Sequence, residues 1–337
     1  MAKVTKIARS AQSRMKLRDN IARYFSFSAI VILLVGLSLT QQNFLGAANI
    51  RNMLRDTAPL MIMSAGMTSV LIFGSIDLST GAMCSVSNVL FVQCLNVYFA
   101  HLPPWQATVC AFGLSLAIGF FAGLLLGVIH VKLKVPSFIA SLGFMSVWQS
   151  VALLVSEKSV SVQRSMWFAT DWFKVPVLGV IGLPLVLALG IVGLVYVIQG
   201  HTTIGKNLYA IGGNERASRV AGVPVDSTKI SVFVVNGLCA ALGGIFLAAK
   251  LKSSAPTTGD PFTLLVVASC VLGGTALSGG RGNVLGTIIG VFTVALINNG
   301  MNFIGVSPYW QNVVFGVFIL AAIAISVDRS VRGLTIK

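Results

Sequence analysis

The residues from Gly200 to Asn207 (GHTTIGKN) fall at the spacing of a phosphate-binding P-loop, and nucleotide hydrolysis is the first chemistry to weigh. In a working P-loop, backbone amides cradle the phosphates, a lysine reaches them, and the next residue supplies a hydroxyl to magnesium. Here Asn207 stands in the hydroxyl position, an apolar run and not a strand precedes the loop, and no α/β pattern follows. Hydrolytic and metal chemistry fare no better. The three histidines, His101, His130 and His201, lie far apart, and the nine acids sit mostly between apolar runs. HExxH, GxSxG and paired intramembrane carboxylates are all missing. Cys84, Cys94, Cys110, Cys239 and Cys270 show no CxxC spacing and read as small packing residues. No catalytic, cofactor-binding or metal-binding set emerges.

The informative polar residues are those inside apolar runs: Asn88, Gln93, Gln149, Asn236, Asn298, Asn299 and Asn302. Hydrocarbon offers an amide no partner, so these should face a bundle interior or a cavity. Each amide both donates and accepts, which suits a neutral polyhydroxylated solute, although interhelical bonding explains any single one equally well. Asp77 and Ser79 lie in IDLSTG, just after an apolar run. Asp77 reads first as an N-cap for a helix starting near Leu78 and second as a direct solute contact. Asp77, Ser79, Asn88, Gln149, Asn298, Asn299 and Asn302 are therefore the candidate pathway residues.

A second polar constellation lies between Gly212 and Asp226. Asn214 can cap a short helix, Glu215 falls in its first turn, Arg219 in its last, and Gly222 and Pro224 end it, with both charges complementing the helix dipole. Such a helix could meet a soluble motor or simply be a solvated surface.

The elements that must hold these residues are membrane helices. Hydrophobic residues make up 55%, charged residues 10%, and the mean hydropathy is +0.88. Apolar runs of near-spanning length recur at 24–40, 58–76, 80–100, 107–131, 136–155, 176–198, 230–250, 262–277, 284–304 and 309–327. The expected fold is an all-α integral membrane protein of about ten transmembrane or re-entrant helices. Segments 136–155 and 262–277 carry small or polar residues and could be re-entrant. Ile50, Met53 and Leu54 give 49–56 one apolar face, as a helix lying flat at the outer interface would have. Small-residue faces at Gly119, Gly123 and Gly127, and at Gly286 and Gly290, allow close helix contact, read as packing within the chain. No internal repeat is evident.

The net charge of +15 gives the bundle a direction. Lys3, Lys6, Arg9, Arg14, Lys16, Arg18 and Arg23 precede the first run, and no signal-peptide cleavage pattern follows. With this tail inside, Lys132, Lys134, Lys206, Arg216, Arg219, Lys229, Arg281, Arg329, Arg332 and Lys337 fall on the same side. Arg51, Arg55, Lys158, Arg164, Lys174, Lys250 and Lys252 are left outside. That bias puts both termini in the cytoplasm and argues for a membrane, not a nucleic-acid, partner.

Five stretches carry a family resemblance: 76–81 (IDLSTG), 136–142 (PSFIASL), 205–214 (GKNLYAIGGN), 272–286 (LGGTALSGGRGNVLG) and 298–302 (NNGMN). In this order they closely resemble the permease subunits of bacterial ABC importers for ribose, arabinose, xylose and related sugars, over about 45–327. The resemblance implies a single transmembrane permease domain at 24–327, between a basic cytoplasmic tail at 1–23 and a second tail at 328–337. It implies a cytoplasmic coupling loop at 199–229 in which Gly212, Gly213, Asn214, Glu215, Arg216, Arg219 and Gly222 meet an ATPase.

It further implies a bacterial inner-membrane location and a homodimer, or a heterodimer with a related permease. Two cytoplasmic cassettes would hold ATP and magnesium, and a periplasmic sugar-binding protein would deliver cargo. An ion-gradient-driven transporter or channel is the alternative. Thr263 and Leu265 stand where many members carry acids, and Gln149 and Ser150 where many carry Arg-Gly. The stretches 219–229 and 268–274 lie closer to arabinose-type members.

Overall fold

A computed structural model describes residues 34–36, 38, 39, 41, 43–307, 309–311 and 313–317. The tails at 1–23 and 328–337, and most of the runs at 24–40 and 309–327, lie outside the described residues. The helices are α1 (Ala47–Asp56), α2 (Ala58–Ile72), α3 (Thr80–Gln93), α4 (Pro104–Lys132), α5 (Ser137–Val155), α6 (Phe168–Asp171) and α7 (Leu183–His201). They continue with α8 (Thr203–Gly213), α9 (Glu215–Val220), α10 (Val225–Leu251), α11 (Phe262–Leu272) and α12 (Val284–Phe303). Two small antiparallel ribbons complete the set. β1 (Val160–Ser161) pairs with β4 (Ser253–Ser254), and β2 (Pro176–Leu178) pairs with β3 (Ile181–Gly182).

Among the described residues, 6 helices are long and apolar enough to cross a membrane: Thr80–Tyr98, Pro104–Lys132, Ser137–Val155, Leu183–His201, Val225–Leu251 and Val284–Phe303. The chain is an all-α membrane protein. The boundaries differ from the hydropathy reading where turn chemistry overrides apolarity. The run at 58–76 is helical only to Ile72, and 176–198 begins as a hairpin before its helix starts at Leu183. Segment 136–155 is an uninterrupted helix of spanning length, whereas 262–277 is helical only over Phe262–Leu272.

Every residue of α2 is buried, so this helix, apolar on all sides, forms the centre. It packs with α10, α11 and α12 in one apolar core. Outward faces of α4, α5 and α7 expose Phe121, Leu125, Phe138, Ile139, Leu187 and Leu194, as suits a surface solvated by lipid.

Small residues set the closest approaches. A Cβ built on Gly123 would lie 2.7 Å from the Cα of Val234, and one on Gly119 2.6 Å from the Cβ of Ala241, so the α4 glycine face is used against α10. Gly286 and Gly290 meet the C-terminal end of α11 in the same way.

Left-handed glycines close several of the helices, at Gly74, Gly222, Gly274 and Gly305. Gly74 N–H donates to Leu71 O (2.9 Å) and Ser75 N–H to Val70 O (3.2 Å), closing α2 in a Schellman turn. Gly274 and Thr275 close α11 identically, onto Val271 O (2.9 Å) and Cys270 O (3.0 Å). Both glycines are left-handed, with φ of +84° and +87°. GSIDLSTG at 74–81 and GGTALSGG at 273–280 encode the two turns. They meet where Gly280 N–H donates to Ile72 O at 2.7 Å.

Adding one methyl at Gly123 should therefore push α4 from α10. Gly123→Ala is expected to cost about 1–3 kcal/mol, read as a lower thermal midpoint in detergent. Gly113→Ala, where nothing lies within 4 Å, should leave the midpoint unchanged. Equal midpoints for the two variants would contradict the packing.

Candidate functional site

Two interruptions of helical backbone bring the polar residues into the bundle. The first, at residues 73–79, follows the Schellman turn of α2 and folds back to the middle of α10. There Asn236 Nδ2 donates to Asp77 Oδ2 at 2.8 Å and to Thr80 Oγ1 at 3.0 Å. Asp77 Oδ1 accepts from the backbone N–H (2.8 Å) and Oγ (2.6 Å) of Ser79, and Thr80 Oγ1 donates to Asp77 O at 3.1 Å. The carboxylate caps a turn, with α3 starting at Thr80 and not near Leu78. Asp77 is only 4% exposed.

The second interruption, residues 252–261, returns from the end of α10 along one face of α3. Asn88 Oδ1 accepts from Ala255 N–H (3.2 Å), Ser85 Oγ from Gly259 N–H (2.8 Å), and Gly81 N–H donates to Thr263 Oγ1 (3.2 Å). Asn88, Ser85 and Gly81 lie on successive turns of α3, so they form a ladder of side-chain and backbone partners for irregular chain. Asn88 Nδ2 also donates to Gly244 O at 3.2 Å, tying the ladder to α10. The helix that follows, α11, has 11 residues, a length of about 16 Å at 1.5 Å per residue. Such a helix cannot cross ~30 Å of hydrocarbon.

Gln149, in the second half of α5, donates from Nε2 to Asp260 Oδ2 at 2.9 Å. Asp260 sits just before Pro261, the N-cap of α11, where the helix dipole favours an anion. The remaining pathway candidates lie elsewhere. Asn299 and Asn49 exchange two amide bonds of 3.0 Å, linking α12 to α1, while Asn302 donates to Asn298 Oδ1 (3.4 Å) and accepts from Gln311 (2.8 Å). Among the described residues, no side-chain hydrogen bond joins the Asp77, Asn88, Gln149 and α12 groups to one another. Asp260 escaped the sequence reading because it lies between apolar runs and not inside one. The signal available was Gly-Asp-Pro at 259–261, directly before an unusually short run.

At the other end of α10, Asn214 Oδ1 accepts from Ala217 N–H (3.0 Å) and caps α9. Glu215 accepts from Lys229 Nζ (2.8 Å) and from Arg219 (3.4 Å), and Arg219 also donates to Asp226 (2.8 Å). Partial burial pushes the Glu215 carboxyl up, but the Lys229 and Arg219 cations outweigh it and hold it below the usual carboxylate range.

Gly212 is wedged against Ile72 and Gly280, with the nitrogen of Gly280 2.5 Å from where a Cβ would stand. Gly213 meets nothing within 4 Å, and Gly222 ends the segment with φ of +79°. Tyr209 Oη donates to Gly282 O (2.8 Å), and Gln199 bridges Ser69 Oγ (2.9 Å) and Val284 N–H (3.2 Å). The chain around α8 therefore touches the end of α2 and the segment between α11 and α12. The outer surface of the loop from α8 to α9 is a shallow groove of about 500 Å³ lined by Asn214, Arg216, Ala217, Val220 and Ala221, with Val220 87% exposed.

No group of three or more His, Cys, Asp or Glu side chains converges among the described residues. Broken helices lined by amides, beside an exposed helical loop, are a geometry that transport proteins use. Residues 49–323 match the family described as "branched-chain amino acid transport system / permease component". The chain belongs to that permease family. Curated relatives of this permease include the ribose import permease protein RbsC of Escherichia coli K12, 35% identical over 309 residues, covering 89% of this chain and 92% of the relative. RbsC of Bacillus subtilis 168 is 32% identical over 326 residues, covering 97% and 99%. The L-arabinose transport system permease protein AraH of E. coli K12 is 30% identical over 313 residues, covering 89% of each. Identity thus runs higher to the ribose permeases, against the lean drawn from residues 219–229 and 268–274. No solved structure matches the chain.

The α3 ladder yields a stability prediction for the permease. Asn88→Leu leaves the Ala255 N–H and the Gly244 carbonyl without their side-chain partner and should cost about 1–3 kcal/mol. The expected observation is a lower unfolding midpoint in detergent. Asn302→Leu, at an exposed position, should change the midpoint little. An Asn88→Leu protein as stable as the parent would show that the ladder does not hold the segment.

Proposed function

We propose that this chain is the membrane-spanning permease subunit of an ATP-driven importer, moving a monosaccharide or similar small neutral polyhydroxylated solute by alternating access. The observation that carries this reading is the kinship with ribose import permeases along nearly the whole chain. The interior supports a neutral cargo. Its polar groups are mainly amides and hydroxyls, which offer donors and acceptors without charge.

In this reading the chain has about ten transmembrane or re-entrant helices in a bacterial inner membrane, with both termini and the 199–229 loop in the cytoplasm. The transmembrane domain extends over 24–327, flanked by the tails at 1–23 and 328–337. Two such permeases, identical or related, pair in the membrane. Two cassette subunits bind ATP and magnesium and dock on Gly212, Gly213, Asn214, Glu215, Arg216, Arg219 and Gly222, and a periplasmic binding protein presents the sugar at the opposite face. Asp77, Ser79, Asn88, Gln149, Asn298, Asn299 and Asn302 line or frame the route. ATP can shift this equilibrium only through contacts that differ between the two states. The contact of Gly212 with Ile72 and Gly280 supplies a direct mechanical link from loop to broken helices.

The test is reconstitution of the complete assembly in proteoliposomes, with D-ribose, L-arabinose, D-xylose and L-leucine as probes. The expected result is ATP-dependent accumulation of a sugar that requires the binding protein. Glu215→Ala and Arg219→Ala should each lower uptake roughly 5- to 150-fold, the span of a coupling free energy of about 1–3 kcal/mol, while membrane insertion persists. Accumulation driven by a proton or sodium gradient without ATP would establish a secondary transporter instead. Import of leucine alone would contradict the sugar assignment.

A further inference from the structure

Two carboxylates sit at the helix interruptions, and the structure uses them differently. Asp77 is buried, with both oxygens engaged by Ser79 and Asn236. Asp260 is half-buried, and among the described residues its one side-chain bond is Oδ2 to Gln149. It forms no ion pair there, and among the described residues Gln149 Oε1 has no hydrogen-bond donor either. Two acceptor atoms are thus held side by side with capacity to spare, one on a helix of spanning length and one on a re-entrant segment.

Exposed hydroxyls lie close to the pair: Ser146, one turn from Gln149 on α5, and Thr257 on the segment at 252–261 are exposed, beside the exposed Leu153 on the next turn of α5. An unpaired carboxylate among exposed hydroxyls within a spanning bundle is expensive against hydrocarbon, so this face must open on water or on another protein. Irregular backbone inside a membrane is tolerated where it is buried or lines a water-filled cavity. Broken helices at depth are also where transporters place their cargo. A carboxyl oxygen with no cation partner among the described residues is free to accept a hydrogen bond from a hydroxyl group.

We propose that Asp260 and Gln149 form a hydroxyl-reading subsite in the translocation pathway, in which the free carboxylate oxygen and the amide oxygen accept from two adjacent hydroxyls of a neutral sugar. The subsite rests on the transport reading above and adds the groups that recognise the cargo. Its chemistry selects vicinal diols over analogues that lack one of the two hydroxyls. A site built to bond a hydroxyl discriminates strongly against an analogue lacking it, because the unused acceptor is left unpaired.

The experiment uses the complete assembly in proteoliposomes, at sugar concentrations that saturate the binding protein. Uptake of whichever of D-ribose, L-arabinose and D-xylose enters fastest is compared with that of its monodeoxy analogues. The unsubstituted complex should prefer the parent sugar. Asp260→Asn should reduce uptake of the parent by about tenfold or more and that of one deoxy analogue far less, so that selectivity collapses. Gln149→Leu should act in the same direction, and Asp260→Glu should restore part of the preference. Selectivity unchanged in Asp260→Asn would overturn the subsite while leaving the transport reading intact. An Asp260→Asn complex that separates into single permease subunits, with normal selectivity in its assembled fraction, would likewise overturn it and assign the carboxylate to a subunit contact. Failure of the unsubstituted complex to import any of the three sugars with ATP would instead defeat the transport reading on which the subsite rests.

Discussion

Backbone that leaves helical geometry inside a membrane must find a partner for every N–H and C=O without help from water, and this constraint organises the protein. The chain breaks helix at residues 73–79 and at 252–261. In the first break, Asp77 Oδ1 accepts from Ser79 N–H and Thr80 Oγ1 donates to Asp77 O; in the second, Asn88 and Ser85, on one face of α3, accept from the N–H groups of Ala255 and Gly259. Polar side chains at these depths thus serve the backbone first. The fully buried α2 and the glycine-lined contacts of α4 with α10 follow from the same need, since close packing keeps lipid away from exposed peptide groups.

The loop at 199–229 is internally braced. Asn214 caps α9, and Glu215, Arg219, Asp226 and Lys229 tie that short helix to the base of α10. Ion pairs with half-exposed partners add little stability individually. Their value here is geometric, because they fix α9 relative to α10 while Gly212 packs against Ile72 and Gly280. A push on α9 is therefore passed to the end of α2 and to the segment between α11 and α12. Gly280 N–H donates to Ile72 O and joins those two places directly.

Much of this was legible in the sequence, and the failures have physical causes. Length and apolarity locate α3, α4, α5, α10 and α12, because a spanning helix must announce itself as an uninterrupted apolar run. The α9 cap was readable from Asn214, Glu215 and Arg219, whose roles are local. The end of α2 was misplaced because Phe73, Ser75 and Ile76 continue the run, although Gly74 already turns the chain. Asp260 escaped because a re-entrant loop looks in sequence like any polar connection. Only its contacts with α3 and α5 show that it enters the bundle.

The account stands or falls on whether the interruption at 252–261 meets water inside the membrane. The most direct measurement is labelling of single cysteines by a water-soluble, membrane-impermeant thiol reagent in the assembled transporter, with the exposed native Cys110 changed to Ser. Thr257→Cys, on the re-entrant segment, is expected to react and to be protected by saturating sugar. Leu194→Cys, on the outward face of α7 and 62% exposed in the isolated chain, should stay unreactive in lipid. Equal inertness of the two positions, or labelling of Thr257→Cys that sugar does not affect, would contradict a pathway at the broken helices.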